Sequence, residues 1–213
     1  MFTLNCRGKL LSMERPLVMG ILNVTPDSFF DGGKYLNEDV LISHVKEMND
    51  QGVDIIDIGG QSTRPGSTRI SGEEELNRVL PVIQKIQKYF PGLILSIDTY
   101  YSLVAKASVN LGVSIVNDIS AGTIDSSMIS TVANMGNVPY ICMHMQGTPE
   151  TMQQHPHYNH VISDIIDFFK ERISYCHDAG INDIILDPGF GFGKTNEHNF
   201  QLLHELASLQ ICK

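Results

Sequence analysis

Six short apolar runs, each capped by a polar residue or turn and separated from the next by a helical stretch, set the plan of this chain. The runs are Leu17–Val24, Ile55–Ile58, Leu93–Ile97, Ser114–Val116, Pro139–Met143 and Ile184–Leu186. At or just past their ends stand Asn23, the turn Gly59-Gly60-Gln61-Ser62-Thr63-Arg64, Asp98, Asn117-Asp118, His144 and Asp187. β-Branched runs without clear polar alternation belong to a parallel sheet covered by helices. In such proteins ligands are handled at the carboxyl ends of the strands. A doubly wound sheet of six strands also accommodates the pattern, but it concentrates ligand residues at one switch point. Here every strand end is polar, which favours a (β/α)8 TIM barrel with about six of its eight βα units present, as a single domain over residues 1–213.

The intervening helices are expected at about Asp39–Asn49, Glu73–Tyr89, Ser102–Leu111, Ser126–Ala133, Val161–Ala179 and Phe200–Leu209. In the first of these, Val40, Leu41, Val45 and Met48 share one face and Lys46, Glu47 and Asp50 the other. Gly52, Gly112, Gly136 and Gly180 fall where helices stop before the next strand. Leu4 to Met13 reads as a hairpin turning at Arg7-Gly8-Lys9, a lid for the bottom of the barrel.

With 213 residues, 42% of them hydrophobic, there is material for one sizeable core. A net charge of −9 excludes counterion-driven nucleic-acid binding but leaves room for a small anionic substrate held by a few local cations. No apolar run approaches the roughly 20 residues that span a bilayer. Arg7, Lys9 and Arg15 break up the amino-terminal segment, so no signal peptide is read there. Cys6, Cys142, Cys176 and Cys212 are scattered without a CxxC pair, which fits reduced thiols in the cytoplasm.

Several local patterns admit a plain reading beside a functional one. His155, His157 and His160 are close enough to suggest a metal cluster, but Pro156 prevents a helix from aligning them, and surface-loop histidines are the expectation. Gly193-Lys194-Thr195 lacks the upstream glycine of a phosphate loop, since Pro188 stands in its place. Asp98 would serve either as a cap for the helix near Ser102 or as an acceptor for a ligand. Asp187 would either begin a Pro-Gly turn or do the same. With Asn117 between them, the two acids would form a polar floor for a flat, nitrogen-rich heterocycle whose adjacent donors match one carboxylate. Arg64, in a Gly- and Pro-rich loop past a buried strand, is either a surface ion-pair residue or an anion clamp. Asn23 can offer a carbonyl oxygen to Mg2+, and Thr25 to Gly33 suits a flap over a reacting centre.

Six collinear blocks resemble the dihydropteroate synthase family of pterin-binding enzymes. They are Met19-Gly20-Ile21-Leu22-Asn23-Val24-Thr25-Pro26-Asp27-Ser28-Phe29, Gly60-Gln61-Ser62-Thr63-Arg64-Pro65-Gly66, Ser96-Ile97-Asp98-Thr99, Val116-Asn117-Asp118-Ile119-Ser120, Met143-His144-Met145-Gln146-Gly147 and Asp187-Pro188-Gly189-Phe190-Gly191-Phe192-Gly193-Lys194. The resemblance implies a transferase of folate biosynthesis, a target of sulfonamides. Such an enzyme joins 6-hydroxymethyl-7,8-dihydropterin diphosphate to p-aminobenzoate, giving dihydropteroate and pyrophosphate. It further implies that Asp98, Asn117 and Asp187 hold the pterin, with Met143 and Lys194 near the pocket. Asn23 then binds Mg2+ on the diphosphate, Thr63 and Arg64 contact the pterin diphosphate, and Phe29, Pro65 and Phe192 form the aminobenzoate pocket. Asp98 and Arg64 are the catalytic candidates, His144 is read as structural, and full-length members are expected to be homodimers.

The family pattern continues with two more βα units, carrying a Ser-Arg-Lys segment and an Arg-x-His. Nothing after Asn199 resembles either. A truncated copy is therefore expected, with an open barrel prone to aggregate or to dimerise through the gap. Two other readings remain at this point: a catalytically impaired pterin-binding fragment, and a methyltetrahydrofolate-dependent methyltransferase with a corrinoid partner. The Thr63-Arg64-Pro65-Gly66 clamp and the flap after Asn23 speak against the latter.

Overall fold

A computed structural model describes residues 2–24, 30–31, 35–62 and 69–212. It opens with a hairpin, β1 (Thr3–Cys6) and β2 (Lys9–Ser12), and continues with β3 (Met19–Asn23) and a small antiparallel pair, β4 (Phe30–Asp31) and β5 (Tyr35–Leu36). Helices and strands then alternate: α1 (Glu38–Asp50), β6 (Ile55–Gly59), α2 (Gly72–Tyr89), β7 (Ile94–Asp98), α3 (Ser102–Asn110), β8 (Ile115–Asp118) and α4 (Met128–Met135). After these come β9 (Tyr140–Met143), α5 (Val161–Ala179), β10 (Ile184–Asp187), α6 (Asn196–His204) and a 3-10 segment, Leu206–Cys212.

Six strands form one parallel sheet in the order β10-β9-β8-β7-β6-β3, which is simply chain order reversed. Strand order never doubles back, so there is no switch point of the doubly wound kind, and the barrel reading holds. Among the described residues β3 and β10 each keep one unpaired edge, so the sheet is curved but open. Accordingly Ile21 on β3 is 66% exposed.

Side chains alternate across each strand, and the two faces have different fates. Leu22, Ile56, Ile58, Leu95, Ile97, Val116, Tyr140 and Cys142 point outward and join the main core with Leu41 and Val45 of α1, Val79 and Ile83 of α2, Val104 of α3, Met128 of α4 and Phe169 of α5. At the bottom the inward set is wholly apolar. There Ile55, Ile115 and Ile141 meet Leu4 and Cys6 of the hairpin, so the hairpin plugs the barrel floor as expected. Asn5 N–H, bonded to Asp183 Oδ2 at 2.7 Å, and Arg7, bonded to the Val109 carbonyl, fix it there.

Local signals account for most helix ends. Asn37 and Ser71 cap α1 and α2 by accepting from Val40 N–H and Glu74 N–H, and Gly180 ends α5 in the left-handed conformation, φ 101°. Three expectations need correction. Val40 is 48% exposed and not on the buried face of α1. The fourth helix is Met128–Met135, because Ser126 and Ser127 belong to the turn before it. The last helix begins at Asn196, where a reciprocal cap between Thr195 and His198 starts it, and it ends at His204; Leu206–Cys212 then tightens to 3-10 geometry.

Candidate active site

The register of the sheet builds a polar row at the carboxyl ends of the strands. Asn23 pairs with Gly59, Gly59 with Asp98 and Asp98 with Asn117; on the far side Met143 pairs with Asp187. Gly59 matters because it contributes nothing to this row but space. A Cβ placed on it would lie 3.4 Å from Asp98 Oδ2 and 3.5 Å from Asn23 Oδ1, so both side chains lean over its backbone. Asn23, Asp98 and Asn117 therefore stand in one row, and Asp187 ends its strand on the same carboxyl side of the sheet.

Asp98 does not cap the following helix. The Ser102 N–H donates instead to Asp125 Oδ2 at 2.8 Å, which leaves Asp98 to face the barrel. Its pKa is pushed well above the usual carboxylate value, first by burial and then by the neighbouring acids Asp57, Glu75 and Asp118. A ligand that supplies N–H donors or positive charge would restore its ionised form. Asp187 begins the turn considered for it. Its Oδ1 accepts from Gly189 N–H at 2.8 Å, forming the turn, while the residue stays partly exposed at the mouth.

The loop after β10 is packed hard against the end of β9. A Cβ on Gly189 would lie 2.1 Å from the His144 carbonyl oxygen, and one on Gly193 would lie 2.6 Å from that of Gln146. Lys194 ties this contact together. Its ammonium lies 2.9 Å from the Gly189 carbonyl, 3.0 Å from that of Phe192, 3.3 Å from that of His144 and 3.0 Å from His144 Nδ1. Burial lowers its pKa to about 7, with the Asp187 charge pulling the other way, and lowers that of His144 to about 3. Lys194 thus stands beside the mouth with its donors already engaged, and His144 is a buried acceptor for it. Phe192 and Met143 share a small cluster with Tyr100 and Ile119.

Thr63, Arg64, Pro65 and Phe29 lie outside the described residues, as does most of the flap after Asn23. The loop that carries the first three starts from a well-held base. Gln61 Nε2 donates to the Tyr100 hydroxyl, Gln61 Oε1 accepts from Ile70 N–H, and Arg78 donates to the Gly60 carbonyl at 3.0 Å. His155, His157 and His160 are exposed, and among the described residues no three His, Cys, Asp or Glu side chains come together as a metal cage. Asn23 alone fits only an ion that keeps most of its waters and shares phosphate oxygens.

Two acids were missed from the sequence, and a third, seen there at a strand end, is not free for a ligand. Asp118, outward-facing at the end of β8, is consumed by Ser120, Gly122 and the Tyr140 hydroxyl. Glu75 follows Glu73 and Glu74 in the first turn of α2, yet it is 1% exposed. Asp57 interrupts Ile55-Ile56-Asp57-Ile58, and a charge inside an apolar strand was the signal that could have flagged it.

Residues 19–213 match the family described as pterin binding enzyme. The dihydropteroate synthase of Haemophilus influenzae is 41% identical over 205 residues, covering 95% of this chain and 74% of the relative. Among solved structures, Yersinia pestis dihydropteroate synthase with a sulfonamide drug superposes with a TM-score of 0.89 at 44% identity, covering 99% of this chain and 76% of that one. The Xanthomonas albilineans enzyme with 4-aminobenzoic acid gives 0.86 at 42%, covering 97% and 73%.

Proposed function

Because the chain belongs to the dihydropteroate synthases of the pterin-binding enzyme family, transferases of folate synthesis, we propose that its mouth holds 6-hydroxymethyl-7,8-dihydropterin diphosphate and p-aminobenzoate side by side. The observation that carries this is the in-register row Asn23–Gly59–Asp98–Asn117, with Asp187 ending β10 beside Met143 at the same carboxyl side of the sheet. Asp98, Asn117 and Asp187 offer acceptors to the donor edge of the pterin, and Met143 packs beside it. Lys194 serves the pocket from behind, through the loop carbonyls it holds.

In the reaction the bond between the pterin methylene carbon and the diphosphate oxygen breaks, its electron pair leaving on pyrophosphate. The aromatic amine of p-aminobenzoate forms the new C–N bond and gives up a proton to water. Asp98 stabilises positive charge spread into the ring as the leaving group departs, and Arg64 and Thr63 face the growing negative charge. Mg2+, when bound, offsets charge on the diphosphate, and Asn23 is the residue that would hold it. The amine needs no strong base, which agrees with a His144 engaged by Lys194.

Phe192, with Phe29 and Pro65, forms the aminobenzoate side, where sulfonamides would compete as substrate mimics. Four free cysteines and no described helix long and apolar enough to cross a membrane accord with a cytoplasmic enzyme, and a homodimer is the proposed assembly. The test is pyrophosphate release with both substrates and with each omitted. Release that needs both and falls with a sulfonamide supports the assignment; release independent of p-aminobenzoate would refute it.

A further inference from the structure

Asp57 is a charged side chain where the fold has no use for one. It sits on the inward face of β6, one level below Gly59, and is 5% exposed. No cation pairs with it among the described residues, and its Oδ1 is buried without a hydrogen-bond partner of good geometry. Burial pushes its pKa up, and its charge raises that of Asp98. On stability alone a neutral side chain of the same shape would serve better, because a buried carboxylate with no cation beside it is costly.

What Asp57 does hold is Asn117. The Asn117 Nδ2 donates to Asp57 Oδ2 at 2.8 Å, reaching past the intervening strand β7, where Ser96 pairs with Asp57 in register. An amide has a donor end and an acceptor end, and rotating it by half a turn exchanges them. With a carboxylate oxygen as the neighbour, only the NH2 end is tolerated on that side. The Asn117 Oδ1 is left without a partner, and the Ser96 hydroxyl below it, though without a hydrogen bond of good geometry, is near enough to Asp57 to favour its charged form.

We propose that Asp57 is a positioning residue of this site: its carboxylate locks the Asn117 amide in one orientation, and so sets which hydrogen bonds Asn117 can make with a ligand. The inference rests on the pterin reading of the mouth. Asp57 is retained against the interest of the fold because the amide it orients recognises the ring. An Asn at position 57 would have the same shape but could donate to Asn117, releasing the amide to turn over.

The test is a double-mutant cycle read by calorimetry with 6-hydroxymethylpterin and by thermal melting on the same samples. The four proteins are the unaltered chain, Asp57→Asn, Asn117→Ala and the combination. Asp57→Asn should weaken binding tenfold or more, yet melt no lower than the unaltered chain. In the Asn117→Ala background the same change should alter affinity less than twofold, because nothing remains to orient. Four results would overturn the proposal: equal binding by Asp57→Asn; an equal loss in both backgrounds, which would mean Asp57 acts on the ligand by its own charge; loss of cooperative melting in Asp57→Asn, which would mean a purely structural role; or no binding by the unaltered chain. Only that last result would also remove the pterin reading itself.

Discussion

Glu75 gives the sharpest pH prediction. It lies in the first turn of α2, buried under the mouth, with neither carboxyl oxygen in a hydrogen bond of good geometry. Gly60 accommodates it, since a Cβ there would lie 2.8 Å from Glu75 Cγ. Burial raises its pKa from 4.5 to about 7, against weaker opposing pulls from Thr99 and the Arg78 charge. A folded-state pKa above the unfolded one means the native protein binds the proton more tightly. Stability is therefore highest below about pH 4.5, falls as the pH rises, and levels off above about 7. At about 1.4 kcal/mol for each tenfold change, the loss at pH 8 is on the order of 3 kcal/mol. Glu75→Gln keeps the shape and removes the titration. Urea unfolding at pH 4.5 and pH 8 should show the variant equal to the parent at the lower pH and about 3 kcal/mol more stable at the higher. Because the Glu75 charge also raises the pKa of Asp98, the difference reports Glu75 together with its coupling to Asp98. Parallel stability curves for the two proteins would refute the reasoning and mean that Glu75 is ionised at no cost where it sits.

Asp187→Ala should weaken 6-hydroxymethylpterin binding by about 1.5–3 kcal/mol, the scale of a charge-assisted hydrogen bond, as measured by calorimetry. Asp187→Asn, which keeps an acceptor for Gly189 N–H, separates loss of the turn from loss of the charge. Gly189→Ala should destabilise the chain by about 2–4 kcal/mol in urea unfolding, because φ is +65° and the new Cβ would overlap the His144 carbonyl. Arg64→Ala should cut turnover while leaving affinity for a pterin without diphosphate nearly intact; equal loss of both would return Arg64 to a role in the fold or at the ring.

The alternation of strands and helices was readable because period-2 and period-3.6 patterns and the glycine stops are local properties. The inward polar positions Asn23, Asp98, Asn117 and Asp187 stood out because each ends an apolar run. So did the hairpin that plugs the floor. What each acid does was not local. Asp187 and Asp98 carried the same pair of meanings in sequence, and only packing assigned the turn to Asp187 and the helix cap to Asp125 instead of Asp98. Lys194 reads as a pocket residue in sequence, and only the fold shows the four acceptors from two segments around its ammonium. Asp57 and Glu75 passed unnoticed because a carboxylate's chemistry is set by its desolvation and its neighbours, and these come from strands and helices distant in the chain. Secondary structure is decided by residues a few places apart, so the sequence alone determines it. Charge state, amide orientation and the space left by Gly59 depend on which strands lie side by side, and tertiary structure alone decides those.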